Sequence, residues 1–394
     1  MRNWAVLRAL AAEGHEITLL TFADHEDDGP PRAELSNLCR RILRVPHAFK
    51  SLSSSRGYFG RALQLVSSLP YGVASARSEE MNRRIAALLR EESVDAILCE
   101  ETDLLLNLPR TGVPLIVDFH NVDHLILERY IEYERNLAKK AYAFRESHRV
   151  RRWEAFACGR AAAAMACSEH DRMILQRHRA DLPIVAVPNA IHTADYQPGG
   201  AEDARKILFQ GGMDWFPNRD GVEFFAAEIF PLIRAEVPDA RFVAAGRNPS
   251  NEFMRRICRT PGIEFTGTVP DMRAEIANAA VSVIPLRIGS GTRLKILEAA
   301  AMGKAMVSTK LGAEGLDFAE GEEIRIADDP KGFASAVIEF LRSPADRKRF
   351  GAAARARVER QYSLPAVQSA MARVLASVTG QAAANGGSAK PLCV

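Results

Sequence analysis

The sequence lacks any C-x-x-C pair, any apolar run long enough to span a membrane, and any strong excess of one charge. Each absence removes a class of protein. The six cysteines, Cys39, Cys99, Cys158, Cys167, Cys258 and Cys393, are scattered, and Cys99 and Cys167 sit in apolar, strand-like runs. That usage excludes a disulfide scaffold and a zinc ribbon, and fits a reduced, cytoplasmic protein. The start, MRNWAVLRALAAEGHE, is too polar for a signal peptide, so any contact with the inner membrane must be peripheral. A net charge of +3, with the basic residues spread along the chain, excludes a nucleic-acid footprint. There is no internal repeat.

What remains is ordinary globular composition, 47% hydrophobic and 26% charged, in 394 residues, enough for two domains with separate cores. Strand and helix patterns alternate, which predicts parallel sheets covered by helices. The expected strands of the first half are 16–22, 42–45, 96–99, 115–118, 163–166 and 184–187, with a long charged helical region over 122–160. Those of the second half are 207–210, 241–245, 263–265, 281–284, 305–308 and 324–326. Val187-Pro188-Asn189-Ala190-Ile191-His192 and the Gly/Pro-containing stretch 197–201 read as a linker. The expected domains are 1–196 and 203–362, a helix over 363–379 returning to the first, and a disordered tail over 380–394.

Residues 281–309, VSVIPLRIGSGTRLKILEAAAMGKAMVST, carry the clearest chemistry. They read as strand, glycine-rich turn, helix and strand. Gly289-Ser290-Gly291-Thr292 lets backbone approach an anion, and the helix that follows offers unpaired N–H groups. Lys295 and Glu298, three residues apart, share one helix face. A cation for phosphate oxygens beside a carboxylate for ribose hydroxyls suits a nucleotide-sugar. The competing reading is a plain βαβ crossover whose Lys and Glu form a solvated pair.

The order of these parts resembles the C-terminal signature of the family 4 (group 1) retaining glycosyltransferases: Ile284-Pro285, the glycine loop, then Glu298-Ala299-Ala300-Ala301-Met302-Gly303. The G-x-G-T-R-x-K-x-L-E form is similar to that of exopolysaccharide-type sugar transferases. The family often has a first glutamate where this chain has Ser290. The resemblance implies an α/β chain of the GT-B fold, two Rossmann-like domains facing a cleft. It implies that Glu298 binds the donor ribose and that Lys295 and the loop amides bind the diphosphate. It further implies a UDP- or GDP-linked sugar as donor substrate, no other cofactor, and a glycan or lipid-linked acceptor. Gly211 and Gly212 would let backbone face the donor, and the loops holding Arg247 and Val269 resemble those around base and diphosphate. Relatives place two basic residues where this chain has Met213 and Asp220, so Arg293 joins Lys295 as the expected substitute, with a surface arginine as the competing reading. His120, after a strand, matches a histidine that contacts donor phosphate or the reacting region, against a plain helix-entry histidine. The His120/His124 spacing suggests zinc, but no Glu adjoins His120 and the Asp-x-Asp motif of the other major glycosyltransferase fold is absent, so no metal is expected.

Two features complicate this picture. The helix over 3–13 leads into the strand at 16–22 with no strand before it. The first sheet is therefore expected to lack its first strand, at severe cost in stability if the chain truly starts at Met1. A non-catalytic nucleotide-sugar-binding remnant is one alternative, and a nucleotide-sugar epimerase another. The basic run Lys139, Lys140, Arg145, Arg149, Arg151 and Arg152 suits anionic lipid, but interleaving by Glu132, Glu134, Glu146 and Glu154 favours a solvated face.

Overall fold

The computed structural model describes residues 2–23, 33–47, 67–383 and 392–393. They form two compact units, Met1–Pro188 with Val367–Val394, and Asn189–Ala366. No helix among the described residues is long and apolar enough to cross a membrane.

The first unit is built on a seven-stranded parallel sheet. Its strands are β1 (Ile17–Ala23), β2 (Arg41–Pro46), β3 (Ala96–Glu100), β4 (Leu115–Phe119), β5 (Ala163–Ala166) and β6 (Ile184–Ala186), with β13 (Leu392–Cys393) from the tail. Their order is β2-β1-β13-β3-β4-β5-β6. Every residue of β4 and β5 is buried, the continuous apolar run that a parallel sheet covered on both faces requires. As expected, no strand precedes the helix Arg2–Ala12 among the described residues, and β13 takes the place between β1 and β3 over two residues; the tail expected to be disordered over 380–394 falls largely outside the described residues. Leu392 pairs with Ile17 and Ala96, and Cys393 with Thr18 and Ile97. The helix Leu364–Ala383 also runs past 380, while residues 384–391 and 394 lie outside the described residues.

The charged region at 122–160 divides into two helices, Asp123–Tyr133 and Leu137–Arg160. The break follows from Asn136, whose side chain accepts from the Lys139 amide at 3.1 Å and starts the second helix afresh. Two acids expected on its solvated face turn inward instead. Glu146 accepts from the Tyr71 amide at 2.6 Å and from Arg149 at 3.1 Å, and Glu154 takes His124 Nδ1 at 2.5 Å. The outer face keeps Arg145, Arg151 and Arg152 beside exposed Leu137 and Phe144.

The second unit holds β7 (Asp203–Gln210), β8 (Arg241–Ala245), β9 (Ile263–Gly267), β10 (Ala279–Ile284), β11 (Ala305–Ser308) and β12 (Arg325–Ile326). Their order is β12-β11-β10-β7-β8-β9. Its core is aromatic, with Phe209, Phe225, Phe230, Phe242 and Phe333 fully buried, each stabilising by about 1.5–3 kcal/mol relative to exposure. The strand order reverses between β7 and β10. In such sheets the crevice outside the carboxyl ends at this point is where ligands bind, so the loops after Gln210 and Ile284 are the place to look.

Candidate functional site

At that switch point the structure brings together the loop after β7 and the loop after β10. In the second loop Gly289 and Gly291 have φ of +141° and +70°. Thr292 Oγ1 accepts from Asn189 Nδ2 at 2.6 Å, which ties the V-P-N segment to the loop. Arg293 does not present its guanidinium as the expected phosphate cation. It is buried and donates to the carbonyl oxygens of Ser290 and Gly291, clamping the turn from within.

The helix Leu294–Ala301 then sets Lys295 and Glu298 on one face. Lys295 Nζ donates to Asn218 Oδ1 at 2.7 Å and lies 4.2 Å from the centre of the Phe209 ring. Burial, aided by the Arg293 charge, pushes its ammonium down to about 7. Asn218 Nδ2 reaches the Gly212 carbonyl at 2.8 Å, joining the two loops through the lysine. Glycine suits 211, where φ is +155° and a Cβ would lie 2.7 Å from Asn218 Nδ2 and 3.1 Å from Lys295 Nζ, displacing the two side chains that meet there.

Glu298 accepts from Gln210 Nε2 at 2.6 Å and from the Tyr196 hydroxyl at 3.2 Å. Burial raises its carboxyl above the usual range, against the pull of those donors. Gln210 Oε1 is buried without a hydrogen-bond partner among the described residues, an acceptor suited to a ligand hydroxyl. Arg247 is exposed, with Nε 3.5 Å from Asp214 Oδ2, and Val269 is partly buried in the loop after β9. Met213 is buried, and Asp220 is paired with Arg287 at 2.7 Å, so neither position offers a cation. Sequence reasoning missed Gln210, Asn218 and Tyr196 as site residues, and took Asn189 for linker. The signal available was the place of Gln210 beside Gly211 and of Asn189 within V-P-N; nothing local marks Asn218 or Tyr196.

His120 belongs to the first unit, in a separate cluster at the ends of β3 and β4. Its Nε2 lies 3.1 Å from Glu100 Oε2 and 3.4 Å from Asp118 Oδ2, and its Nδ1 lies 3.0 Å from Glu101 Oε1. Burial alone would depress the imidazole, but the hydrogen bonds to Asp118, Glu100 and Glu101 outweigh it and push the ring up to about 12. It is therefore a standing cation and no general base at neutral pH. Asp118 is fully buried; burial would raise its carboxyl, but bidentate pairing to Arg2 at 2.6 and 2.8 Å, with His120, holds it down to about 2. Arg2 also donates to the Val187 carbonyl at 2.8 Å. Glu101 has φ of +85°, a strained value for a non-glycine residue.

Among the described residues two groups could offer metal ligands, Glu100/Asp118/His120 and His124/Glu154/His178, each with ligand atoms within 4.8 Å of one another. His120 and His124 thus fall in different groups, not one zinc pair. In both, imidazole nitrogens already engage carboxylate oxygens, a pattern that ion-paired hydrogen bonding explains by itself.

Residues 3–195 match the family described as Glycosyltransferase Family 4, and residues 204–343 that described as Glycosyl transferases group 1. The chain is 21% identical over 358 residues to an uncharacterized 44.6 kDa protein in the cps region of Klebsiella pneumoniae, covering 87% of this chain and 86% of the relative. Among solved structures it resembles sucrose-phosphate synthase from Thermosynechococcus elongatus, with TM-score 0.72 at 16% identity over 95% of this chain and 92% of that one. It also resembles HepE from Anabaena, solved with UDP and glucose, with TM-score 0.62 at 12% identity over 92% of this chain and 100% of that one.

Proposed function

The chain belongs to the family 4 (group 1) glycosyltransferases of the GT-B fold, and on that premise we propose that its second unit binds a nucleoside-diphosphate sugar through Lys295 and Glu298. The observation that carries this reading is the pair itself, one helical turn apart at the sheet's switch point. Lys295 is held by Asn218 against Phe209, and Glu298 by Gln210 and Tyr196. The diphosphate lies on Lys295 with the amides of Gly289 to Thr292, which offset charge on the departing group. Ribose hydroxyls donate to Glu298 and to the open Gln210 Oε1. Arg293 shapes the loop, and Gly211 and Gly212 let the chain pass close to the donor. UDP and GDP are the donor nucleotides to test first.

Transfer proceeds with retention of configuration, as family membership suggests, to a glycan or lipid-linked acceptor. The relative in a cps region supports a role in polysaccharide synthesis. His120 acts as a fixed positive charge, since both ring nitrogens face carboxylates. The acid-free outer face of the Leu137–Arg160 helix, with Arg145, Arg151, Arg152 and Phe144, suits peripheral contact with anionic lipid. Purified protein incubated with a panel of UDP- and GDP-sugars and polyprenyl-diphosphate-linked acceptors tests the reading. A product whose anomeric coupling matches the donor supports it. Inversion, or turnover of the nucleotide-sugar without transfer, contradicts it.

A further inference from the structure

Beside Lys295, in the loop after β7, a large apolar side chain stands half outside the core. Trp215 is 49% exposed, although it lies between buried Met213 and buried Pro217. Its loop is pinned from several sides. The Met213 amide donates to the Arg247 carbonyl at 2.9 Å, and Arg219 Nη1 donates to the Met213 and Asp214 carbonyls at 2.8 and 3.0 Å. Asn218 Nδ2 fixes the Gly212 carbonyl at 2.8 Å. The indole is thus held in water on a fixed backbone, with the Phe216 ring beside it, 5.2 Å between ring centres.

We propose that Trp215 is the platform on which the sugar ring of the donor stacks, and so a residue that sets which sugar is carried. The inference rests on the donor-site reading. The order of contacts gives the direction. Glu298 and Lys295 are one helical turn apart, Lys295 Nζ meets Asn218 Oδ1 at 2.7 Å, and the Asn218 amide donates to the Trp215 carbonyl at 3.1 Å. With ribose on Glu298 and diphosphate on Lys295, the group beyond the diphosphate falls at Asn218 and Trp215. That group is the sugar, since the base lies beyond the ribose at the other end of the row. A pyranose presents slightly positive C–H groups on one face, which pack on the negative face of an indole while its hydroxyls meet polar neighbours. Exposed Asp214, 3.5 Å from Arg247 Nε and 3.4 Å from Asn248 Nδ2, provides such a polar rim. Because the loop is already fixed, little freedom is lost when the sugar lands.

The test titrates UDP, GDP and a panel of UDP- and GDP-hexoses into the wild type, Trp215→Ala, Trp215→Leu and Trp215→Phe. Alanine should weaken the nucleotide-sugar about tenfold while changing its nucleoside diphosphate by less than about twofold. Leucine should do no better than alanine, and phenylalanine should recover most of the loss, because stacking needs a ring. The part of the tryptophan emission change that the nucleotide-sugar causes and the nucleoside diphosphate does not should vanish in Trp215→Phe; its persistence would contradict the proposal. Equal weakening of both ligands by alanine would overturn it in favour of a structural or base contact, and full recovery by leucine in favour of plain apolar contact. Unchanged nucleotide-sugar affinity with a raised acceptor KM would overturn it in favour of an acceptor platform, and no change in either would overturn it outright. A wild type that binds neither nucleoside diphosphate would instead remove the donor-site reading, and this inference with it.

Discussion

The two units hold their cations in opposite ways. In the second, a lysine is set against an aromatic ring beside an arginine and pushed down to about 7, so it titrates near neutrality. In the first, a histidine surrounded by three carboxylates is pushed up to about 12 and stays charged. The usual roles of the two residue types are exchanged. A site kept short of its counter-charge is one that an incoming anion completes, whereas a site already balanced by its own acids is a structural and electrostatic fixture. That contrast supports the proposal that the second unit binds the diphosphate.

The first way to break the comparison is Arg2→Met, which leaves Asp118 buried without its main partner. Such a change costs about 3–5 kcal/mol, and the first unit should melt well below the second in calorimetry. An unchanged melting profile would mean that the cluster is not a balanced fixture. Next in size is Lys295→Ala, which should reduce transfer by about 10²–10³-fold. Retention of full activity would remove the lysine from the site.

A subtler contrast is pH dependence. Lys295 binds a proton more weakly when folded than unfolded, so its contribution to stability rises with pH from about 7 towards the ordinary lysine range. A bound diphosphate restores the charge, so nucleoside diphosphate affinity should be highest below pH 7 and fall above it, by up to about tenfold per unit. Calorimetry in buffers of different ionisation enthalpy should show proton uptake at pH 7.5. His120 runs the other way. Its contribution to stability is complete below the ordinary histidine range and is lost as pH rises through 12. Nitrogen NMR should report an imidazolium from pH 6 to 9, and titration near 6.5 would contradict the assignment.

Much of this architecture is legible in the chain because parallel strands are short apolar runs bounded by helices. Strands 163–166, 241–245 and 305–308 coincide with those observed. The loop-and-helix segment from Gly289 to Glu298 is equally legible, since its residues are neighbours in sequence. What escapes is what only tertiary packing joins. Arg2 and Asp118 are 116 residues apart, Asn189 and Thr292 are 103 apart, and Asn218 and Lys295 are 77 apart. Arg293 sits where a phosphate cation is expected, but its guanidinium is taken up by the carbonyls of Ser290 and Gly291. Glu146 and Glu154 look like surface acids until the helix is turned so that its apolar face meets the sheet. Leu392 and Cys393 look like tail, because nothing local ties two residues to β1 and β3.

The central claim, that Lys295 holds the diphosphate and Glu298 the ribose, is tested most directly by titrating UDP, GDP and inorganic diphosphate into the wild type and two variants. Lys295→Ala should weaken whichever nucleoside diphosphate binds and inorganic diphosphate alike. Glu298→Gln should weaken the nucleoside diphosphate at least about tenfold, from loss of a charge-assisted hydrogen bond, and leave inorganic diphosphate unchanged. Equal losses for both ligands in both variants, or no loss in either, would contradict the account.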